Sequence, residues 1–161
     1  MRKLNIMKSI AKAGLCSAIV LSAITFGSFA QKASAATPET INLISEGKQY
    51  LGTPYKFGAP AGVTYAFDCS SFTQFLFKGL DVKLPRTSSA QATVGKTVAK
   101  GSLSMGDLVF FKTNGKSISH VAIYAGDNKI IHSSTSQGVT VSSLGTSYWA
   151  KSYVTAKRVL S

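Results

Sequence analysis

Cysteine and histidine are nearly absent from this chain, and carboxylates are scarce. Its 161 residues hold two cysteines (Cys16, Cys69), two histidines (His120, His132) and six acidic residues against 18 basic ones. So few cysteines exclude a disulfide framework. Cys69, His120 and His132 with one open position would suit a catalytic zinc. Their separations of 51 and 12 residues, however, match no compact zinc motif. There is also no nucleotide-binding glycine loop, internal repeat, low-complexity tract or interdomain linker, so no cofactor is expected and one domain is.

The only long apolar run, Ala13 to Ala30, lies near the N-terminus. Arg2, Lys3, Lys8 and Lys12 precede it, and Ala33-Ser34-Ala35 supplies the small residues a signal peptidase needs. Ser17, Ser22, Gly27 and Ser28 interrupt the run, which is short for a membrane span. A cleaved secretory signal peptide at 1–35 is therefore expected rather than a retained anchor. Cys16 comes too early in the run to mark a lipoprotein cleavage site. Removing the leader takes five basic residues and no acidic ones, leaving 126 residues (36–161) with a net charge of +7. That excess fits an anionic envelope polymer or carboxylate-rich substrate better than nucleic acid, although single scattered charges equally serve solubility. It also leaves Cys69 unpaired in an oxidising compartment, where structural cysteines normally have partners.

The mature chain begins helical. Thr37-Pro38-Glu39 reads as an N-cap, a proline at the first helical position and a first-turn acid. The helix should run to about Tyr50 with Ile41, Ile44 and Leu51 on its apolar stripe and Leu43 beside them; Gly47 weakens it and Gly52-Thr53-Pro54 ends it. A Gly/Pro/Ala-rich loop from Pro54 to Phe67 carries Tyr55. Asp68 then caps a second helix with apolar positions at Phe72, Phe75, Leu76 and Leu80. Cys69 thus falls in its first turn, where free amides and the helix dipole favour a thiolate. Ser88-Ser89-Ala90-Gln91 reads as a capping box opening a short third helix.

The period then changes. Leu108-Val109-Phe110-Phe111 is a continuous apolar run suited to a strand buried on both faces. Strands are also expected at 119–125 and 128–133 around a Gly126-Asp127 turn, at 138–142 and at 153–159. Helices followed by about five strands imply an α+β domain with an antiparallel sheet. A hairpin centred on Gly126 sets His120 directly opposite His132, on one strand face. A histidine pair beside a helix-start cysteine has a specific use: one imidazole takes the thiol proton while the other orients the first. Amides at the helix start, beginning with Cys69 N–H, would stabilise an oxyanion.

Six motifs in order resemble those of the NlpC-type papain-like cysteine peptidases of bacterial cell walls. They are Pro54-Tyr55-Lys56-Phe57-Gly58, Phe67-Asp68-Cys69-Ser70, Leu84-Pro85-Arg86-Thr87-Ser88 and Gly106-Asp107-Leu108-Val109-Phe110-Phe111, then His120-Val121-Ala122-Ile123-Tyr124-Ala125-Gly126 and Ile131-His132-Ser133-Ser134. The resemblance spans about Gly52 to Leu160. It implies a papain-like fold, with Cys69 as nucleophile, His120 as general base and His132 as the third residue. Tyr55 and Ser70 would help position substrate or oxyanion. Two positions depart from the family pattern. Ala59 stands where a second glycine is common, a difference that bears on substrate preference, and Ser71 stands where a glycine commonly follows Cys-Ser.

The resemblance implies a monomeric, secreted, cell-wall-associated hydrolase of peptidoglycan stem peptides, acting at the D-γ-glutamyl-diamino acid bond through a thioester. It would have no nucleic-acid partner and no stable membrane insertion, and anionic wall polymers would be possible partners. The alternatives on the same residues are a poly-γ-glutamate hydrolase, an amidase, an acyltransferase, and a non-catalytic envelope-binding domain.

Overall fold

The computed structural model describes residues 35–160, so all but the last residue of the expected leader, Cys16 included, lies outside the described residues. Helix α1 (Pro38–Gln49) begins at Thr37, whose Oγ1 accepts the Thr40 amide at 3.3 Å while Thr40 Oγ1 accepts the Thr37 amide at 3.0 Å. Its buried face is Thr40, Leu43, Ile44 and Gly47. Of the expected apolar set, Ile44 and Leu43 are buried, whereas Ile41 and Leu51 are each 51% exposed. Gly47 sets the face, because a Cβ there would lie 3.1 Å from both Ile131 Cδ1 and Leu76 Cδ1. The helix turns its smallest residue, not its largest apolar ones, toward the closest neighbour.

Helix α2 (Cys69–Lys78) follows the capping residue Asp68, and α3 (Ser88–Gln91) is a single turn. The α3 cap is Thr87, one residue before the expected box, and accepts the Ala90 amide at 3.3 Å. Gln91, the box's expected last member, instead faces inward. Then come β1 (Lys96–Val98), β2 (Leu108–Phe111), β3 (His120–Gly126), β4 (Lys129–Ser134), β5 (Gly138–Ser143), a short helix α4 (Ser147–Ser152) and β6 (Tyr153–Arg158).

These strands form one antiparallel sheet in the order β1-β6-β2-β3-β4-β5. The α+β class holds, with one strand more than the five expected: β1 has only three residues, too few to display alternation. The sequence reading also missed α4, which has no side-chain cap and no buried residue.

Central strand β2 is buried throughout, as its unbroken apolar run predicts. Leu108 and Phe110 join Phe67, Phe72 and Leu76 on one face, while Val109 and Phe111 join Ala122 and Ile130 on the other. Asp107 anchors the strand's start. Arg158 on β6 donates to it through Nε and Nη2, each at 2.7 Å, and the Ser104 amide adds a third bond at 2.8 Å. Gly106, at φ +92°, makes room for this corner, since a Cβ there would come within 2.9 Å of Thr40 Cγ2.

The β3–β4 hairpin departs from the expected register. Ile123 opposes Ile131 and Tyr124 opposes Ile130, and the tip is Asp127-Asn128, both at positive φ. Continued along the strands, this register sets His132 opposite Ala122 rather than His120. The two histidines are diagonal neighbours on one face, because the turn sits one residue later than Gly126.

Candidate active site

The loop before α2 is fixed at both ends. The Gly52 amide donates to Val139 O and the Val139 amide to Thr53 O, each at 2.9 Å, docking the segment on β5. Gly138 permits the approach, because a Cβ there would lie 2.1 Å from Thr53 O. Farther along, the Phe67 amide donates to Pro54 O at 3.1 Å and the Lys56 amide to Phe67 O at 2.9 Å. Tyr55 is thereby held beside the start of α2.

Asp68 does more than cap that helix. Its Oδ1 accepts the Ser71 amide at 2.7 Å and its Oδ2 the Gly58 amide at 3.1 Å, while Arg86 grips both oxygens. Arg86 also donates to Ser70 Oγ at 2.9 Å and to Ala59 O at 2.7 Å. Burial acts to raise the Asp68 pKa, but the hydrogen bonds from Arg86 and the Ser71 amide, with the guanidinium charge, outweigh it and hold the carboxyl below its usual range. Ser70 lines the cavity, yet its hydroxyl is taken up by Arg86 and by its own bond to Asp68 Oδ1 at 3.2 Å. Ser71 completes the capping box with its hydroxyl, so a residue larger than glycine fits there because it is bonded.

Cys69 is 7% exposed and is the free thiol among the described residues. Its environment corrects the expectation of a lowered pKa. Burial pushes the thiol up, and although the amides of Val121, Ser70 and Cys69 itself favour the thiolate, they do not offset the lost solvation. The Val121 amide belongs to the residue after His120, so the start of β3 reaches the sulfur. Burial and the charges of Cys69 and Asp68 likewise raise the Tyr55 phenol.

His120 Nε2 and His132 Nδ1 are 3.0 Å apart, and His132 Nε2 lies 3.0 Å from Ser142 Oγ on β5. Burial lowers both imidazoles, His120 to about 3 with a further contribution from His132, and His132 to about 4. Both rings are therefore neutral at pH 7. The bonding leaves His120 Nδ1 as the ring nitrogen outside this chain. If Nδ1 accepts, Nε2–H donates to His132 Nδ1, and His132 Nε2–H donates to Ser142. Trp149 from α4 packs on both rings, with centroids 5.3 Å from His120 and 4.9 Å from His132.

Two adjoining cavities share Tyr55 and Ser119. The larger, about 520 Å³, is lined by Cys69, Ser70, Asp68, Arg86 and Phe57. The smaller, about 240 Å³, is lined by His120, Trp149, Tyr148, Thr113, Ser134 and Ser136. The expected residues Cys69, Tyr55, Ser70 and His120 thus line one cleft, and His132 supports His120 from behind. No cluster of three or more metal-ligating side chains occurs among the described residues.

The family model described as NlpC/P60 family matches residues 52–158, which include every one of these side chains. The chain belongs to the NlpC/P60 family. It is 43% identical over 115 residues to a probable endopeptidase NlpC of Escherichia coli, covering 70% of this chain and 73% of that protein. It is 40% identical over 120 residues to a probable endopeptidase NlpC homolog of Haemophilus influenzae, covering 73% and 62%. The crystal structure of an NlpC/P60 family protein from Bacillus cereus superposes with a TM-score of 0.71 at 36% identity, covering 80% of this chain and 42% of that one. The chain thus spans less than two thirds of the length of several relatives it matches.

Within this NlpC/P60 domain, sequence reasoning missed Ser142, Trp149 and Gln91. Gln91 Nε2 donates to Ser70 O at 3.1 Å and Pro85 O at 2.9 Å, while its Oε1 accepts from Thr73 at 2.8 Å. It ties the Cys69 helix to the Arg86 segment. A glutamine after Ser-Ser-Ala reads locally as a cap, and nothing in the sequence marks it as a buried brace.

Proposed function

We propose that this chain is an exported cysteine endopeptidase that hydrolyses the peptide stems of bacterial peptidoglycan at the bond between D-γ-glutamyl and a diamino acid. The observation that carries this reading is the chain from His120 through His132 to Ser142, ending on the same cleft as a cysteine at the first turn of a helix. Cys69 Sγ attacks the carbonyl carbon as its proton passes to His120 Nδ1. The amides of Cys69 and Ser70, which have no carbonyl partner four residues back within the helix, face the developing oxyanion. The tetrahedral intermediate then collapses to a thioester. The C–N bond breaks, and the amine leaves with the proton from His120. Water, deprotonated by His120, hydrolyses the thioester and restores the thiol.

The relatives support the substrate class. At 41% identity over 113 residues, one is named murein DD-endopeptidase MepS/murein LD-carboxypeptidase of Escherichia coli. Another, 39% identical over 127 residues but covered over only 38% of its length, is the γ-D-glutamyl-L-lysine dipeptidyl-peptidase of Bacillus cereus. A second reading has its own support: a γ-DL-glutamyl hydrolase of Bacillus subtilis is 35% identical over 134 residues. That reading keeps the same three residues and changes the acyl donor to poly-γ-glutamate.

The test is to incubate the protein and its Cys69→Ala variant with defined peptidoglycan fragments and with poly-γ-glutamate, in the presence of a chelator, and to follow products by mass spectrometry. Cleavage of the fragments at the γ-glutamyl bond by the unaltered protein alone is expected. Release of glutamate oligomers with the fragments left intact would transfer the function to the second reading.

A further inference from the structure

A cavity of about 350 Å³ shares none of its lining residues with the cleft, yet is built on the same two segments. Ala61 and Gly62 in its wall follow Phe57 and Gly58 of the cleft along one loop, and its Leu84 precedes Arg86. Ala59, between the two pairs in sequence, accepts Arg86 Nη2 at 2.7 Å, which ties the segments together. Phe75, Val82 and Leu84 supply the cavity's apolar wall, and Lys78 and Lys83 its charge. Both lysines are exposed. No acidic residue lines it, Asp81 of the adjoining turn included. The end of α2 offers no bare carbonyl there either. The oxygens of Leu76, Phe77 and Lys78 accept from the amides of Gly79, Leu80, Val82 and Asp81. Gln74 is the remaining polar group in the wall. Its Nε2 donates to Leu84 O at 2.8 Å, while its buried Oε1 accepts no hydrogen bond among the described residues. A buried acceptor without a donor is a cost that a ligand N–H can recover.

An apolar wall, two cations and one unused acceptor match the carboxyl end of a peptide with small apolar side chains. We propose that this cavity is a second peptide site, separate from the cleft, that holds such an end. The carboxylate lies with Lys78 and Lys83, the side chains rest on Phe75, Val82 and Leu84, and the last N–H donates to Gln74 Oε1 as that side chain turns toward it. The volume suits a dipeptide and lies within the usual range of ligand pockets. For the source of the peptide the inference rests on the peptidase reading above: the occupant is the end of a wall stem other than the one being cut. A stem held here keeps the enzyme against the wall while Cys69 acts on a neighbour, raising the local concentration of substrate without any new contact in the cleft.

The probe is N-acetyl-D-alanyl-D-alanine, titrated into the Cys69→Ala protein, which lacks the nucleophile of the proposed reaction, with binding read from backbone amide shifts by nuclear magnetic resonance. The comparison probes are its C-terminal amide, the ester analogue in which oxygen replaces the last N–H, and inorganic phosphate. Saturable shifts at Ala61, Gly62, Gln74 and Val82 are expected, with Tyr55, Ser119 and His120 unmoved. Affinity should fall at least about threefold for the C-terminal amide, and equally in a Lys78→Gln/Lys83→Gln variant whose folding is checked by circular dichroism. The ester should bind about fivefold more weakly. Lack of saturation by about 20 mM probe, shifts confined to the cleft, undiminished binding of either analogue or by the double variant, or phosphate binding as tightly as the peptide each overturns the inference. All these outcomes leave the peptidase reading standing, since that reading fails only if the unaltered protein leaves peptidoglycan fragments uncut.

Discussion

Ser142 ends the hydrogen-bonded chain that begins at His120, and its role differs from that of the two rings. His132→Ala removes the acceptor that holds His120 in its tautomer, so kcat/KM should fall by about 10²-fold or more. Ser142→Ala leaves that acceptor in place and should cost roughly tenfold or less. Steady-state rates on one γ-glutamyl peptide would rank the two, and an equal loss would argue against the ordering. The thiol gives a second prediction. With burial raising the Cys69 pKa and His120 neutral, the free site holds a protonated thiol rather than an ion pair. Alkylation of Cys69 by iodoacetamide should therefore accelerate about tenfold per pH unit between pH 7 and 9; a flat rate would mean a preformed thiolate. The sequence made Cys69, His120 and His132 legible because cysteine and histidine are rare in it. It left Ser142 and Trp149 hidden, since no local pattern distinguishes one serine among many, and the partner strand that gives Ser142 meaning is known only from the register.

At the level of elements, the site depends on three docking points: the loop on β5, α2 on the sheet, and the Arg86 segment on Asp68. Gly138→Ala drives a methyl into Thr53 O and forces a side chain into a left-handed conformation. Loss of at least about 1 kcal/mol is expected, read by urea denaturation. Because the displaced segment leads to Tyr55, activity should fall further than stability alone explains. Arg86→Met leaves a buried carboxylate without its partner, and a loss of about 2 to 3 kcal/mol is expected. The arginine is 37% exposed in its side chain, which places the cost below that of a fully buried pair. Most elements were readable, because caps, proline stops and unbroken apolar runs are local signals. The hairpin register, strand β1 and helix α4 were not. A shift of one residue in a turn, three residues of strand, and a helix with no cap and no buried face leave nothing for periodicity to detect.

For the whole molecule, pH acts through groups that the fold holds out of their ordinary ranges. His120 and His132 titrate near 3 and 4 in the folded chain, below the ordinary histidine value of 6.5. Lowered histidines favour the fold only while the unfolded chain's histidines are also neutral. Their contribution is complete above about pH 6.5, declines as pH falls below it, and is exhausted once the folded values are passed. Asp68 acts in the same direction lower down: its carboxylate favours the fold above the ordinary carboxylate range, and that support is lost as pH falls through its depressed value. Melting temperature should therefore decline most between about pH 6.5 and 4 and then fall less steeply, as the histidine contribution is exhausted and only that of Asp68 is still being lost. In His132→Ala, with one buried imidazole gone, the first part of that decline should be shallower. Trp149, finally, is the chain's single tryptophan and lies on both imidazoles. Its emission is a built-in optical probe of the proposed reaction centre, uncontaminated by any second indole, so stopped-flow fluorescence would time substrate arrival and the breakdown of the proposed acyl-enzyme without an attached dye.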